Sequence, residues 1–65
     1  EKYVKLPFKH STGRTEHMWI QVKEINVESR TMYGILNNDP IICTNLKDGD
    51  KVENRSLDEI EAIDY

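Results

Sequence analysis

Residue types that favour β-strands dominate this chain. Its 65 residues include 15 of the β-branched types Val, Ile and Thr and only one Ala. β-branched side chains pack well on a pleated sheet and lose rotamer freedom in a helix, so this balance favours sheet over helix. Gly, Pro, Asn and Asp recur about every eight to twelve positions, a spacing typical of small all-β domains. The sequence therefore predicts a mainly β fold.

The short length limits the chain to a single domain with a small core. Domains below roughly 70–80 residues bury too little apolar surface for high stability. Leu, Ile, Val and Phe nevertheless make up 16 of the 65 residues, which exceeds the share of roughly 20% below which disorder is expected. We expect one folded β domain over residues 1–65, of marginal stability, and leave self-association open.

Turn residues divide the chain into predicted strands. We expect Thr15–Ile25 and Thr31–Leu36 to pair around a turn at Asn26–Arg30. A first strand, Tyr3–Phe8, is predicted to lie at a sheet edge because it contains Pro7. The remaining predicted strands are Ile41–Thr44, Lys51–Asn54 and Ala62–Tyr65.

The segment after the fifth of these strands has a helix-start signal. Ser56 and Glu59 have the spacing of a capping box, which predicts one helical or 3₁₀ turn near residues 56–61, with Leu57 and Ile60 toward the core. Together the elements predict about five strands in a small antiparallel barrel or a strongly bent sheet. An SH3-like barrel is the leading interpretation.

Charge is distributed unevenly along the chain. Residues 2–14 contain four basic residues and no acid, residues 48–64 contain seven acids and two bases, and the net charge is −3. The first stretch defines a basic N-terminal arm, residues 1–14, in front of a β core, residues 15–65. Because the isoelectric point of 5.2 lies below the value of about 9 typical of nucleic-acid-binding domains, we favour a solvated segment that pairs with the acidic C-terminal end. Nucleic-acid binding is the alternative, and its candidate residues are Lys2, Lys5, Lys9 and Arg14.

Other classes of protein are disfavoured by what the sequence lacks. No apolar run approaches the roughly 20 residues that span a bilayer, and the first residues show no signal-peptide core, so we expect a cytoplasmic location and no membrane contact. Cys43 is the only cysteine, which leaves no internal disulfide and no paired-cysteine zinc motif. We expect neither a metal nor a cofactor.

The strand Thr15–Ile25 places the only tryptophan among polar residues. Side chains alternate along a strand, so Met18 and Ile20 share the core face while His17 and Trp19 share the other. A large aromatic residue on the wetter face either covers a second small cluster or contacts a partner. In the second case the candidate residues for binding a protein partner are Glu16, His17, Trp19, Lys23, Tyr33 and Tyr65.

The grounds for catalysis are weak. Glu16 and His17 form a carboxylate and imidazole pair, but neighbours on a strand point to opposite faces. A Cys43 nucleophile with a histidine base would need a concave pocket, which a barrel of this size lacks. We therefore predict that the protein is not an enzyme. The leading hypothesis is a non-catalytic module that binds a protein through the Trp19 face or a sheet edge, as an accessory domain or an inhibitor or immunity factor.

Four short motifs follow one another along the chain. They are Glu16-His17-Met18-Trp19, Gly34-Ile35-Leu36-Asn37-Asn38-Asp39-Pro40, Gly49-Asp50-Lys51-Val52 and Ile63-Asp64-Tyr65. As a set, from about Leu6 to Tyr65, they resemble the YegJ-like bacterial domain of unknown function. Tyr65 stands where that family more often has Trp. The resemblance implies a bacterial or phage origin and a compact domain, and it brings no reaction, cofactor or ligand.

Overall fold

The computed structural model describes residues 1–65 as one antiparallel sheet of five strands. The mainly β fold predicted from the residue types is confirmed. The sheet bends without closing on itself, so the bent sheet is the correct alternative, a closed barrel is wrong, and an SH3-like topology stays a prediction. The strands are β1 (Tyr3–Lys9), β2 (Thr15–Asn26), β3 (Thr31–Leu36), β4 (Lys51–Ser56) and β5 (Ala62–Asp64), in the spatial order β4-β3-β2-β1-β5.

Strand β2 organises the sheet because it pairs with two neighbours over different parts of its length. β1 pairs with residues 15–21 of β2, and β3 pairs with residues 20–26. Only Ile20 and Gln21 take part in both ladders, so β1 and β3 are offset along β2. The register with β3 shifts between Val22 and Glu24, which leaves Lys23 as an extra residue and bends the strand.

One face of the sheet carries the hydrophobic core. Alternate residues of β1, β2 and β3 are buried there, as the period of two in a strand requires, together with Val52 of β4. Side chains from the two connecting segments, residues 37–50 and 57–61, pack against the same face. The buried apolar residues are Val4, Leu6, Met18, Ile20, Met32, Leu36, Cys43 and Val52, with Leu46, Leu57 and Ile60 packed against them.

The predicted turn after β4 is confirmed as a 3₁₀ turn, Leu57–Glu59. Both bonds of the capping box are present: the Ser56 hydroxyl accepts from Asp58 N, and the Glu59 carboxylate accepts from Ser56 N. Leu57 and Ile60 are half-buried against the core, as expected. No helix in the structure has the length and apolar character needed to cross a membrane.

The predicted strand Ile41–Thr44 is wrong. These residues belong to a connection without strand structure, residues 37–50, between β3 and β4. Their backbone N–H groups at Ile41, Ile42 and Cys43 donate to the side chain of Glu16 instead of to a neighbouring strand.

The edge position predicted for the first strand is also wrong. β1 pairs with β2 on one side and with β5 on the other. Pro7 is tolerated because the β5 ladder stops at Lys5, so no partner needs a proline N–H at that position. The Pro7 carbonyl instead accepts a hydrogen bond of 2.6 Å from Arg55 Nη2. Residues 1–14 are therefore mostly an internal strand of the sheet and not a separate arm.

Candidate functional site

The face of the sheet opposite the core, called the outer face below, carries Trp19. The indole is half-buried, and Lys5 lies directly opposite it on β1 with Nζ 5.2 Å from the ring centroid. Two residues of the connection after β3 fix the backbone of Trp19. Asn37 N donates to the Trp19 carbonyl at 2.9 Å, and Trp19 N donates to Asn38 Oδ1 at 3.3 Å. The backbone of Trp19 is thus fixed on both sides, and its ring stays partly exposed beside Lys5.

Beside the indole is a shallow open depression of about 240 Å³, lined by Tyr3, Trp19, Asn37 and Asp64. Tyr3 donates its hydroxyl to Glu1 at 3.3 Å. The negative charge of Glu1 is the main reason why the pKa of Tyr3 lies above its ordinary value. The depression therefore combines aromatic surface with acidic groups and hydrogen-bonding groups.

A hydrogen-bonded pair of side chains, His17 and Glu61, borders the Trp19 region toward the start of β2. His17 Nδ1 lies 2.7 Å from Glu61 Oε1, and Glu61 N donates to the Lys5 carbonyl. Both side chains are more than one-third exposed, so water screens the pair. The pair links β2 to the segment that leads into β5.

Glu16 points away from the outer face and supports the fold. Its Oε2 accepts from Ile41 N at 2.8 Å, and its Oε1 accepts from Ile42 N and Cys43 N at 2.9 Å each. These donors, Cys43 first, hold the pKa of Glu16 below its usual value, and the positive charge of Arg14 acts in the same direction. A carboxylate that already accepts three hydrogen bonds has little capacity left for a partner.

Three other candidates for protein binding lie away from Trp19. Tyr33 pairs with Glu24 on β2, roughly 15 Å along the strand from Trp19 at about 3.3 Å per residue. Lys23 is the extra residue of the bulge near Tyr33. Tyr65 is 84% exposed beyond β5, where its ring lies under Lys2 Nζ at 5.1 Å. Trp19, Tyr33 and Tyr65 therefore occupy separate positions on the sheet, and their part in binding a protein stays a prediction.

Lys51 and two acids surround Tyr33. Lys51 Nζ lies 5.0 Å from the ring centroid and 3.2 Å from Glu53 Oε1. Glu24, Glu53 and Tyr33 also line a small polar cavity between β2, β3 and β4. Tyr33 therefore has a lysine of its own chain over its ring, as Trp19 does.

The four basic residues of the first stretch do not converge. Lys5 covers Trp19 and Lys2 covers Tyr65. Lys9 ends β1, and Arg14 precedes β2 on the other side of a tight turn. None of the four forms a salt bridge. The predicted pairing of this stretch with the acidic end is present as the β1 and β5 backbone ladder, in which Tyr3 pairs with Asp64.

The residues considered for catalysis are separated. The Glu16 carboxylate is bound to the loop backbone on one side of the sheet, while His17 pairs with Glu61 on the other. Cys43 is buried, and its thiol donates to the Phe8 carbonyl at 3.6 Å. No three side chains of the His, Cys, Asp and Glu types come together in a way that could hold a metal ion.

Sequence reasoning missed several residues around Trp19. Tyr3 and Lys5 of β1, Asn37 after β3 and Asp64 of β5 come from three separate segments and meet only in the folded sheet. Lys5 appeared in the sequence as part of a basic cluster, and nothing in its local pattern indicates the contact with the indole. The pairing of Tyr3 with Asp64 depends on the return of β5 to β1, which no short-range signal encodes.

These features define a class: a single-sheet, mainly β domain with one face packed and one face open. Within that class, the chain belongs to a family described as an uncharacterized protein conserved in bacteria, DUF2314, which matches residues 1–63. No curated protein and no solved structure matches the chain significantly.

Proposed function

We propose that the protein is a non-catalytic module that binds a protein partner through the outer face around Trp19. The observation that carries the proposal is the half-buried, single tryptophan on the face of the sheet opposite the hydrophobic core. The side chains of Leu46, Leu57 and Ile60 from the connecting segments pack against the core on the other face of the sheet, away from the indole. Tryptophan is among the residues that contribute most to protein interfaces.

The surroundings of the ring match the anatomy of a small protein interface. An aromatic centre formed by Trp19 and Tyr3 is bordered by Lys5, Asp64 and the pair of His17 with Glu61. Interfaces combine an apolar centre, which excludes water, with a polar rim that fixes orientation. The Trp19 surface, meaning these residues, supplies both parts.

The sheet edges are less suitable for strand addition. On β4, a register shift in the ladder with β3 and the left-handed backbone of Asn54, with φ of 54°, interrupt regular geometry. β5 has only three residues. Short or distorted edges are a common way of preventing pairing with other chains. This geometry favours the Trp19 surface over an edge.

Several finer features belong to the same proposal. A cytoplasmic location agrees with a single free, buried cysteine. The motif set favours a YegJ-like member of the family, of bacterial or phage origin, and the five-strand order with its 3₁₀ turn favours SH3-like topology. A role as an accessory domain, or as an inhibitor or immunity factor, suits a small acidic domain. Nucleic-acid binding has less support because the four basic side chains do not form one surface.

The test is a comparison of captured proteins with matched variants. Tagged wild type, Trp19→Ala and Tyr65→Ala are incubated with bacterial lysate, and bound proteins are quantified by mass spectrometry. Tyr65→Ala is the control because it removes an exposed aromatic ring outside the Trp19 surface. Far-UV circular dichroism establishes that each variant is folded.

We expect at least one protein to bind wild type and Tyr65→Ala and to be lost with Trp19→Ala. For the purified pair, removal of a central tryptophan should weaken binding by about 2 kcal/mol or more, which is roughly 30-fold. Identical sets of bound proteins for all three chains would contradict the proposal. Loss of only the chain's own copies from the bound fraction would instead assign the Trp19 surface to self-association.

A further inference from the structure

The connection between β3 and β4 covers part of the core without forming regular structure. This cover segment, residues 37–50, contributes the buried Cys43 and the half-buried Leu46 to the core. Ile41 in the same segment is 84% exposed. The cover segment therefore packs apolar side chains against the core on its inner side and exposes its outer side to solvent.

The two ends of the cover segment are fixed by backbone hydrogen bonds. Asn37 N donates to the Trp19 carbonyl, and Gly49 N donates to the Leu36 carbonyl, which lies at the end of β3. Leu36 N in turn donates to the Asp50 carbonyl. These bonds do not involve the middle of the cover segment, so they keep the ends of β3 and β4 together when the middle changes conformation.

The middle of the cover segment is held mainly by one side chain. Between Asn38 and Gly49, the hydrogen bonds from this segment to the sheet are the three that Glu16 accepts and the long thiol contact of Cys43 with Phe8. The other hydrogen bonds of this stretch stay within it. Apart from the Glu16 contacts, only the thiol contact and the packing of Cys43 and Leu46 attach this stretch to the sheet, and a segment with so few attachments can open locally without unfolding the sheet.

We propose that Glu16 is a latch, meaning that its carboxylate contacts hold the cover segment closed. Loss of these contacts opens the cover segment as a unit, exposes Cys43 to solvent and leaves the five-stranded sheet folded. The N–H groups of Ile41, Ile42 and Cys43 converge on the position of the Glu16 carboxylate and form a concave site for an anion. In a chain without this carboxylate, an external carboxylate bound at the same position takes the place of Glu16 and favours the closed form. This inference is independent of the Trp19 surface.

Cys43 is the probe for the latch because it is the only cysteine and is buried in the closed form. Labelling by iodoacetamide, a neutral reagent, is followed by mass spectrometry under native conditions for wild type, Glu16→Ala and Glu24→Ala. Glu24 is the matched control since its carboxylate, on the same strand, has no hydrogen-bond or salt-bridge partner. We expect Glu16→Ala to label at least about tenfold faster than wild type, and Glu24→Ala to label at the wild-type rate.

Two readouts distinguish a latch from a residue that merely stabilises the fold. Far-UV circular dichroism and Trp19 fluorescence of Glu16→Ala should stay native while Cys43 is labelled rapidly. Acetate, raised at constant ionic strength against chloride, should slow the labelling of Glu16→Ala and leave wild type unchanged. Equal labelling of Glu16→Ala and wild type, or rapid labelling that acetate does not slow, would overturn the proposal.

A measurement on the wild type keeps the test decisive if Glu16→Ala does not fold. Labelling is repeated in low concentrations of urea, far below the unfolding transition. Opening of the cover segment alone exposes little surface, so the labelling rate should depend weakly on urea. A urea dependence as steep as that of global unfolding would show that Cys43 is exposed only when the whole sheet unfolds, and the latch would be wrong.

Discussion

Gly34 lies in β3 where that strand approaches the bulged part of β2. A Cβ atom at this position would overlap the backbone oxygen of Gln21 and lie 2.8 Å from Ile20 Cγ2. Neither neighbour can move freely, because Gln21 belongs to the ladder and Ile20 is fully buried. The sequence requirement here is the absence of a side chain and not a special backbone conformation.

We expect Gly34→Ala to lower the free energy of unfolding by about 3 kcal/mol, because overpacking a rigid contact forces the strands apart. Urea denaturation followed by Trp19 fluorescence measures the loss. Gly13→Ala is the comparison, since a Cβ there meets no atom within 4 Å and only its φ of +91° is unfavourable. That variant should lose about 1–2 kcal/mol, the cost of a left-handed residue. Equal losses would argue against a close approach at Gly34.

Glu16 gives a pH dependence whose sign follows from its hydrogen bonds. Donors from Cys43, Ile41 and Ile42 lower its pKa in the folded state below the ordinary value of 4.5. A carboxyl group with a lowered folded pKa contributes stability that is fully present above its unfolded pKa and is lost as pH falls through the folded pKa. The contribution of Glu16 is therefore complete at neutral pH and disappears in acid.

The measurable consequence is a stability difference that depends on pH. The free energy of unfolding of wild type should exceed that of Glu16→Gln at neutral pH, and the difference should shrink between about pH 6 and pH 3. Urea titrations at a series of pH values measure it. Glu24→Gln serves as the reference and should follow the wild-type curve. A difference between wild type and Glu16→Gln that stays constant down to pH 3 would contradict this role.

At the scale of elements, the connection from β4 to β5 depends on Arg55. Its Nη2 donates to the Pro7 carbonyl at 2.6 Å and to Glu59 Oε1 at 2.9 Å, while its Nε donates to Glu59 Oε2 at 3.2 Å. The guanidinium also lies 4.7 Å from the centroid of Phe8. One side chain thus connects β4 and the 3₁₀ turn that follows it to β1. β4 and β1 are not neighbours in the sheet.

We expect Arg55→Lys to destabilise the fold by about 1–2 kcal/mol, because an ammonium group cannot replace a planar fork with several donors. Urea denaturation and the change in Tm measure the effect. Arg30→Lys is the matched control, since Arg30 pairs with Asp58 where both side chains are about two-thirds exposed. It should change stability by less than about 0.5 kcal/mol. Similar losses for the two substitutions would show that the forked contacts of Arg55 are not important.

The success of strand prediction also differed between elements. Thr31–Leu36 and nearly all of Thr15–Asn26 follow from alternating burial and from the turn between them, which are local properties. Ile41–Thr44 has the residue types of a strand, but its N–H groups donate to Glu16, which lies 25 to 27 positions earlier in the chain. Local propensity could not anticipate this competing acceptor.

At the scale of the whole molecule, one core and one sheet predict one cooperative unfolding transition. All four inter-strand ladders are connected through β1, β2 and β3, and each strand from β1 to β4 contributes to the same core. Trp19 fluorescence and far-UV circular dichroism should therefore give coincident urea transitions, with m near 1 kcal/mol/M, the lower end for small proteins. Transitions at separate urea concentrations would mean that the outer face and the core unfold independently.

The sequence by itself determined the composition of the strands, the 3₁₀ turn with its capping box and the outward position of Trp19. Each of these depends on residues a few positions apart, where backbone geometry fixes which side chains share a face. The tertiary structure alone decided that the sheet stays open, that β1 is internal, and that Lys5 and Asp64 reach the Trp19 surface. It also decided that Glu16 holds the cover segment. Those contacts join residues far apart in the chain, and their free energy is gained only after the sheet has assembled.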